Sequence, residues 1–393
     1  MTEAAQTSVT LGEDYVEIRE GVRAICAKYP GKYWRDLEDR NEYAHEFVAE
    51  LSAAGYLAAL IPEEYGGSGL PLRAACVILE EINAAGCSAG ACHAQIYMMG
   101  ILLRHGSEAQ RQKYLPQIAS GALRFQAFGV SEPTTGSDTL NLKTRAVRQG
   151  DKYVINGQKI WTSRAHVSDL LVVLVRTTPV DQVKRRSDGL SVLLVDLREA
   201  VGNGLTMRPI DTMVNHQTNE LFFDHLEVPA ENLIGEEGQG FRYILTGMNA
   251  ERIGAAAQAC GDCRYFIGKA TNYAKEREVF GRPIGQNQGI QFPIARAHVQ
   301  WKAAEMMMRA AAALYDSGAP CGEEANTAKL LASEAAWQAA ETCMQTFGGF
   351  AAAREYDIER KWKDARLSLI APISTNLVLA YIGQNTLGLP RSY

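Results

Sequence analysis

The chain lacks the sequence features that nucleic-acid-binding, membrane and exported proteins require. Its 393 residues carry 40 Lys and Arg against 45 Asp and Glu, a formal net charge of -5. Because there is no basic excess and no Lys/Arg run interleaved with aromatics, nucleic-acid binding is not expected. No apolar run approaches the length of a membrane span, and the first residues lack the basic region and apolar core of an export signal. We therefore expect a cytoplasmic, bacterial-type protein that binds neither nucleic acid nor membrane.

Patterns for metal ions and disulfides are also missing. The seven histidines form no H-E-x-x-H motif and no i, i+4 pair, so no metal site is predicted. The eight cysteines are scattered through apolar segments of a chain without an export signal, so disulfides are not expected. Cys260 and Cys263 form a C-x-x-C, but no second Cys or His pair lies nearby, which argues against zinc or redox chemistry.

The composition that is present predicts a large core and two or three domains, with 47% hydrophobic and 22% charged residues. Apolar residues fall at helical spacing in the first third of the chain, and short β-branched runs separated by turns follow. One run is expected to end at an Asn156-Gly157 turn. Long helical patterns then return, at about 250–277, 294–316 and 324–346. The prediction is a mainly α fold with a β domain: a helical domain over 1–124, a small antiparallel β domain over 125–235 and a helical bundle over 236–393.

Two neighbouring segments in the β part are the most informative. They are Phe128-Gly-Val-Ser-Glu-Pro-Thr-Thr-Gly-Ser-Asp138 and Lys159-Ile-Trp-Thr-Ser-Arg-Ala165. Small hydroxyl residues beside a tryptophan suit a flat ring with polar edges, because an isoalloxazine needs hydrogen-bond partners along its edge and an apolar surface against one face. The alternative is a polar turn between strands with Trp161 in the core. These residues alone leave both interpretations open.

A glycine-rich segment later in the chain could be mistaken for a dinucleotide-binding fingerprint. This segment, Gly235-Glu-Glu-Gly-Gln-Gly-Phe241, lacks the third glycine at the required spacing and the preceding buried strand. We predict a loop that enters a helix, and no nicotinamide site.

From about residue 14 to its end, the chain resembles the acyl-CoA dehydrogenases. The matching segments are 128–138, Lys159-Ile-Trp161, 235–241, Arg277-Glu-Val-Phe-Gly281, Gln288, Gln345-Thr-Phe-Gly-Gly349 and Asp364-Ala-Arg366. The resemblance implies an N-terminal helical domain, a middle β-barrel-like domain, a C-terminal four-helix bundle and a homotetramer with one FAD per subunit. It also implies conversion of an acyl-CoA thioester to the 2,3-enoyl-CoA, with electrons passed to an electron-transfer flavoprotein.

The resemblance also assigns residues to the cofactor and the substrate. It puts Phe128, Val130 and Ser131 along the pyrimidine side of the flavin, Trp161 and Ser163 near N5, and Ser137 where the flavin pocket meets CoA. In similar enzymes a neighbouring subunit grips the rest of FAD, and the corresponding residues here are Arg277, Phe280, Gln288, Gln345 and Gly349. Ser374 and Asn376 complete the predicted cofactor contacts. Arg277 suits phosphate because a guanidinium fork matches phosphate oxygens; without the resemblance it would be a solvated charge at a helix end.

The reaction implied by the resemblance needs a carboxylate base opposite the flavin. In many relatives this base opens an E-G-T motif near the C-terminus, but an ungapped count from Asp364 puts Pro372 there. In the isovaleryl-type and long-chain branches the base lies in a Glu-Arg motif early in the C-terminal domain, which Glu251 and Arg252 match. Glu251 is therefore the predicted base, and Arg252 a contact to CoA or the active site. The alternative is a Glu in the first turn of a helix, where a carboxylate favours the macrodipole.

Two departures from the family pattern leave questions open. Pro372 has no N–H, whereas in relatives the N–H at this position helps to polarise the thioester carbonyl. Either the Ile373 N–H replaces it or the carbonyl is held differently. Arg164 replaces a commoner Asn and is expected to serve packing or to pair with a carboxylate, rather than to contact substrate. The acyl chain length is not predicted.

Two alternative functions follow from the missing E-G-T carboxylate. One is a flavoenzyme of the same fold with different chemistry, such as an acyl-CoA oxidase or a desulfinase-like relative. The other is a non-catalytic protein that binds acyl-CoA or FAD.

Overall fold

The computed structural model of the chain describes residues 14–391. Its N-terminal part consists of α1 (Val16–Cys26), α2 (Gly31–Arg40), α3 (His45–Ala53), α4 (Leu72–Ala84), α5 (Gly90–His105) and α6 (Glu108–Ala119). Ser107 and Gln110 form a capping box at the start of α6, in which each side chain accepts a hydrogen bond from the other's backbone N–H. Helices α4 and α5 are buried along most of their length, so they must be covered by other parts of the chain.

The middle part is a sheet of eight strands, with a short helix α7 (Leu197–Ala200). The strands are β1 (Ala127–Gly129), β2 (Arg145–Gln149), β3 (Lys152–Ser163), β4 (Leu170–Arg176), β5 (Leu190–Asp196), β6 (Leu205–Pro209), β7 (Thr218–Pro229) and β8 (Leu233–Ile234). Their order is β6-β7-β3-β2-β4-β5-β8, and β1 pairs with β4. The β1–β4 and β2–β4 pairs are parallel, so the prediction of a purely antiparallel sheet is wrong there. Both β1 and β2 reach β4 through a longer excursion of the chain, which lets them enter in the same direction.

The predicted turn at Asn156-Gly157 is also wrong. Strand β3 continues through these residues and pairs with β7 on both sides of a bulge between Ile155 and Gly157. Gly157 has φ +147°, and a Cβ there would lie 2.6 Å from the Thr144 Cα. The glycine therefore lets the bulge approach the neighbouring backbone, while the hairpin turn lies at Gly150, with φ +65°.

The C-terminal part returns to long helices. They are α8 (Gly240–Glu276), α9 (Gln288–Asp316), α10 (Gly322–Phe347), α11 (Ile358–Ser368) and α12 (Thr375–Tyr381), with a hairpin of β9 (Glu278–Val279) and β10 (Arg282–Pro283) between α8 and α9. Helices α8 to α11 form the bundle, so the predicted fold class and the α, β, α order are confirmed. The predicted loop at 235–241 does lead into a helix, α8.

Helix α8 begins at Gly240 rather than near 250, and α9 begins at Gln288 rather than at 294. The glycine-rich start of α8 lacks a clear apolar period, and its helical form is stabilised by packing on β5 and α5. In α9 the helix passes through Pro293, which costs one backbone hydrogen bond but does not end it.

Helix α8 is the element that joins the parts of the fold. It packs against α4 and α5 of the N-terminal part, against α9 and α10 of the bundle, and against β5 of the sheet. All eight cysteines are buried and carry free thiols. Among residues 14–391, no helix is both long enough and apolar enough to cross a bilayer.

We predict that Gly240→Ala destabilises the protein by about 1–3 kcal/mol, the usual effect of overpacking. A Cβ at Gly240 would lie 2.5–2.7 Å from backbone atoms of Ser191 and Val192 in β5. The measurement is the midpoint of thermal unfolding. The control is Gly268→Ala in the same helix, where no atom lies within 4 Å of the added Cβ and a stabilisation of about 0.5–1 kcal/mol is expected. Equal behaviour of the two variants would contradict the close contact between α8 and β5.

Candidate active site

The structure brings together the two segments that the sequence singles out. The chain leaves β1 through Val130 and Ser131 and meets the end of β3. The Ile160 N–H donates to the Ser131 carbonyl (2.9 Å), and Lys159 Nζ donates to the Val130 carbonyl (3.0 Å). Phe128, Val130 and Ser131 therefore lie beside the strand that carries Trp161 and Ser163.

A buried ion pair stabilises this junction. Lys159 Nζ lies 2.9 Å from Glu132 Oε1, and both side chains are buried. Glu132 also accepts hydrogen bonds from the N–H groups of Lys143 (2.7 Å) and Thr144 (2.9 Å). Burial favours a raised pKa for Glu132, but Lys159 and these N–H groups outweigh it and hold the pKa below its usual value. Burial lowers the pKa of Lys159 to about 8, so both partners are charged at neutral pH.

Trp161 is turned out of the sheet. It lies in a second irregularity of β3, between Lys159 and Thr162, with φ +63°, and is 59% exposed. A left-handed backbone is uncommon for a bulky residue and concentrates at functional sites. The alternative that placed Trp161 in the core is wrong.

The surface beside Trp161 has the donor set that a flavin ring requires. The indole offers an apolar wall, and the half-buried Ser131 and Ser163 offer hydroxyl groups at its edge. In the same two segments, the buried hydroxyls of Thr135 and Thr162 have no hydrogen-bond partner among residues 14–391. An apolar face with unpaired polar groups around it fits an isoalloxazine. Ser137 is exposed on the loop that follows Thr135.

Glu251 lies well past the first turn of α8, because that helix begins at Gly240. The alternative explanation of a carboxylate in the first helical turn is therefore wrong. Glu251 is only 8% exposed, and no hydrogen bond or ion pair reaches its carboxylate from residues 14–391. Burial raises its pKa to about 7, against the opposing charge of Arg252. A buried, unpaired carboxylate with a pKa near neutrality is suited to general-base chemistry.

Three contacts connect Glu251 to Phe128, one of the predicted flavin contacts. His93 Nε2 donates to the backbone carbonyl of Glu251 (3.0 Å), the rings of His93 and Tyr97 are 5.3 Å apart, and those of Tyr97 and Phe128 are 5.9 Å apart. Burial raises the pKa of Tyr97, and the nearby Glu251 raises it further. Glu251 is therefore buried near Tyr97, whose ring contacts Phe128, rather than exposed to the surrounding water.

His93 and Lys329 are site residues that sequence reasoning missed. Burial lowers the pKa of His93 to about 4, so its imidazole is neutral. Lys329 of α10 is buried and donates to the Ile373 carbonyl (2.8 Å), which ties the loop after α11 to the bundle. No sequence pattern marks either residue, because each partner is distant along the chain.

The loop after α11 contains Pro372 at the usual base position, half-buried. The hydroxyl of Ser374 accepts a hydrogen bond from the Leu377 N–H (3.4 Å) and caps α12, while Asn376 is exposed in that first turn. Arg252, next to Glu251, is buried. Its Nη1 donates to Asn249 (3.0 Å), and its Nε has no partner within the described residues.

The residues predicted to bind the FAD of a neighbouring subunit lie at one end of the bundle. Short links join α8 to α9 and α9 to α10, so the end of α8, the start of α9 and the end of α10 are adjacent. Phe280 is fully exposed at the hairpin tip, with φ +55°. The Arg277 guanidinium lies 5.6 Å from the centre of the Phe350 ring, beside Gly349. All five residues are exposed: Arg277, Phe280, Gln288, Gln345 and Gly349.

Hydroxyl groups beside an exposed indole, with a buried carboxylate on the neighbouring helix α8, fit a flavin-dependent oxidoreductase. Three family descriptions match the chain in order: "Acyl-CoA dehydrogenase, N-terminal domain" at residues 12–122, "middle domain" at 127–226 and "C-terminal domain" at 238–384. The chain belongs to the acyl-CoA dehydrogenase family.

Individual relatives agree with this assignment. "Acyl-CoA dehydrogenase FadE12" of Mycobacterium tuberculosis is 34% identical over 390 residues, which covers 98% of this chain and 99% of that protein. Butyryl-CoA dehydrogenase of Megasphaera elsdenii has a TM-score of 0.90 at 28% identity, covering 97% of this chain and 100% of that one. A chain in a structure titled "Electron transferring flavoprotein of Acidaminococcus fermentans" has a TM-score of 0.90 at 31% identity, covering 97% and 99%. The protein is an acyl-CoA dehydrogenase that uses FAD.

We expect Lys159→Met to destabilise the protein by about 3–5 kcal/mol, because it leaves a charged Glu132 buried without its partner. The purified variant should also retain less FAD, since the Val130 and Ser131 segment loses its anchor to β3. Unfolding midpoints and the flavin-to-protein absorbance ratio measure the two effects.

The matched control is Lys152→Met in the same sheet. It removes the half-buried partner of the exposed Glu227, whose carboxylate lies 2.6 Å from Lys152 Nζ, and should cost at most about 1 kcal/mol. The double variant Lys159→Met/Glu132→Gln should recover part of the loss. If Lys159→Met is as stable as the control, the ion pair does not stabilise the junction of the two segments.

Proposed function

We propose that Glu251 is the base with which this enzyme removes the α proton of an acyl-CoA thioester. The carboxylate accepts the α hydrogen as a proton, while the β hydrogen leaves with its electron pair, so that a double bond forms between the α and β carbons. FAD, when bound, is the acceptor of that hydride. The observation that carries the proposal is the buried, unpaired Glu251 with a pKa near 7.

The choice of Glu251 as the base is supported by Pro372, the residue at the position that carries the base in many relatives. Pro372 has no ionisable group, so the loop after α11 offers no carboxylate there. Glu251 is instead supported by His93, which holds the backbone of its helical turn. Arg252 attracts the carboxylate electrostatically without forming an ion pair with it, and its unpaired Nε is available to the substrate.

The remaining predicted site residues have roles that follow from their chemistry. Trp161 would pack against one face of the flavin, while Phe128, Val130, Ser131 and Ser163 would contact its edge. Ser137 would contact the CoA portion near that edge. For the thioester carbonyl, the Ile373 N–H is a candidate donor, because it has no hydrogen-bond partner among residues 14–391.

Assembly as a homotetramer is part of the same proposal. Exposed apolar side chains recur at heptad spacing on α9, at Phe292, Val299 and Met306, and Phe280 projects fully from the hairpin next to them. Exposed apolar surface of this extent marks a protein interface. A second subunit on this surface would bring Arg277, Phe280, Gln288, Gln345 and Gly349 to its neighbour's FAD; Ser374 and Asn376 are the other proposed cofactor contacts.

An electron-transfer flavoprotein is the proposed electron acceptor, consistent with the related chain in the Acidaminococcus fermentans structure. The proposed location is the cytoplasm. The oxidase alternative differs in that oxygen would reoxidise the flavin, and the non-catalytic alternative in that no acyl-CoA would bleach it.

Glu251→Gln should bind acyl-CoA and leave the flavin oxidised, because the amide cannot accept the α proton. We expect flavin reduction to slow by about 10²–10⁴-fold, the usual contribution of a general base. The measurement is anaerobic stopped-flow titration with straight, branched and alicyclic acyl-CoAs, followed by flavin absorbance.

The control is Glu276→Gln, which changes an exposed residue at the end of the same helix. The flavin of this variant should be reduced at the wild-type rate. Reduction of the Glu251→Gln flavin at wild-type speed would remove Glu251 from the mechanism. Wild-type protein that no acyl-CoA reduces would point to the non-catalytic alternative, and rapid oxygen consumption would point to the oxidase.

The pH dependence of kcat/KM should report the titration of Glu251. Only the ionised carboxylate accepts a proton, and burial raises its pKa from 4.5 to about 7, so activity should rise as pH increases through about 7 and then level off. Initial rates at low substrate between roughly pH 5 and 9 test this, since kcat/KM reports groups of the free enzyme. A profile already level at pH 6 would contradict a buried base at this position.

A further inference from the structure

Arg164 is a buried cation that the proposed mechanism does not use. It follows Ser163 directly, has a left-handed backbone with φ +59°, and is only 9% exposed. Within residues 14–391 no hydrogen bond or ion pair reaches its guanidinium group. Burying an unpaired charge is costly, so a residue used only for packing is a poor explanation for this site.

The protein carboxylate that the sequence led us to expect as a partner is missing. Asp364 is the one carboxylate among the groups that act electrostatically on Arg164, and the others, Tyr43, Tyr97 and Cys92, are neutral at physiological pH. Asp364 forms no ion pair with Arg164 and lies instead 3.7 Å from His216 and 4.0 Å from Lys361. Within the part of the chain that the structure describes, no carboxylate therefore forms an ion pair with Arg164.

The guanidinium group is packed against the N-terminus of α5. A Cβ at Gly90, the first residue of that helix, would collide with Arg164 Nη2, so the glycine allows this approach. The helix has 16 residues, and its N-cap, Ala89, provides no side-chain cap. The positive end of the helix dipole and a cation thus face one another, an arrangement that favours an anion between or beside them.

This positive site lies on the same helix as the residues around the base. Gly90, His93 and Tyr97 share one face of α5, at helical spacing. His93 contacts Glu251 and Tyr97 contacts Phe128. Gly90 is therefore about 10 Å along α5 from Tyr97, and Tyr97 is near enough to Arg164 to act on it electrostatically. Arg164 and Ser88 line one cavity, which is also lined by Arg360 and by three carboxylates, Glu38, Glu42 and Asp364. Each of these carboxylates has a cationic partner of its own, Lys363 for Glu38, Arg40 for Glu42, and His216 and Lys361 for Asp364.

We propose that Arg164 and the first turn of α5 bind the free carboxylate of the acyl group, so that the preferred substrate is the CoA monothioester of a dicarboxylic acid. A charge-assisted pair with a guanidinium fork is directional and strong in a buried site. The acyl carboxylate would supply the counter-charge that the protein omits. The inference rests on the proposed function, and it reverses the expectation that Arg164 does not contact substrate.

The test compares each ω-carboxyacyl-CoA with its own methyl ester, which has a similar shape without the charge. Glutaryl-, adipyl- and pimelyl-CoA and their monomethyl esters are used as substrates, and kcat/KM for flavin reduction is measured. Wild-type enzyme should prefer at least one acid over its ester by roughly ten- to hundredfold, the effect of a hydrogen bond to a charged group.

Variants test whether the preference for the acid over its ester depends on Arg164. In Arg164→Met the ratio of acid to ester should fall to about one or below, and Arg164→Lys should restore part of it, because the charge returns without the fork. Gly90→Ala should also lower the ratio by displacing the guanidinium. If no variant folds, the wild-type ratio alone decides.

The inference would be overturned if neutral acyl-CoAs reduce the wild-type flavin and no acid is preferred over its ester. The proposed function would remain intact. A preference that persists in Arg164→Met would place the carboxylate elsewhere and also overturn the inference. Failure of the proposed function would differ, since no acyl-CoA of either kind would then reduce the flavin.

Discussion

The candidate site depends on the buried ion pair between Lys159 and Glu132. Each of these charges alone would be costly to bury, but together, with two backbone N–H groups on Glu132, they are compensated. The pair fixes the segment after β1 against the end of β3. Together with the hydrogen bond from the Ile160 N–H to the Ser131 carbonyl, it holds the segment of Ser131 against the strand that carries Trp161 and Ser163.

Helix α8 supplies the second half of the site. It is covered by helices of the N-terminal part on one side and by the bundle on the other, so Glu251 is removed from water by elements from both ends of the chain. That burial, rather than any neighbouring charge, raises its pKa. A stable fold gains nothing from an ionised carboxylate there, which fits the general observation that perturbed groups concentrate at functional sites.

Several buried polar groups of the candidate site have no hydrogen-bond or ion-pair partner among residues 14–391. They include the carboxylate of Glu251, the Nε of Arg252, the hydroxyl of Thr162 and the guanidinium of Arg164. Native proteins satisfy most buried polar groups, so these groups are suited to contact substrate or cofactor. The two ionisable groups lie on different elements: the Glu251 carboxylate on α8, and the Arg164 guanidinium at the N-terminus of α5.

The sequence by itself determined the order of helical and β parts and the two segments that meet at Trp161, because these depend on local periodicity and on short motifs. Glu251 is proposed from a short motif of the family that the chain resembles. The sequence did not predict that β3 passes through Asn156-Gly157, and its residues alone left open whether Trp161 lies in the core. Only the tertiary structure decided the contacts of His93, Lys329 and Arg164, since their partners lie far away along the chain. Burial and the absence of a counter-charge arise when distant segments pack together, and no local pattern of residues records them.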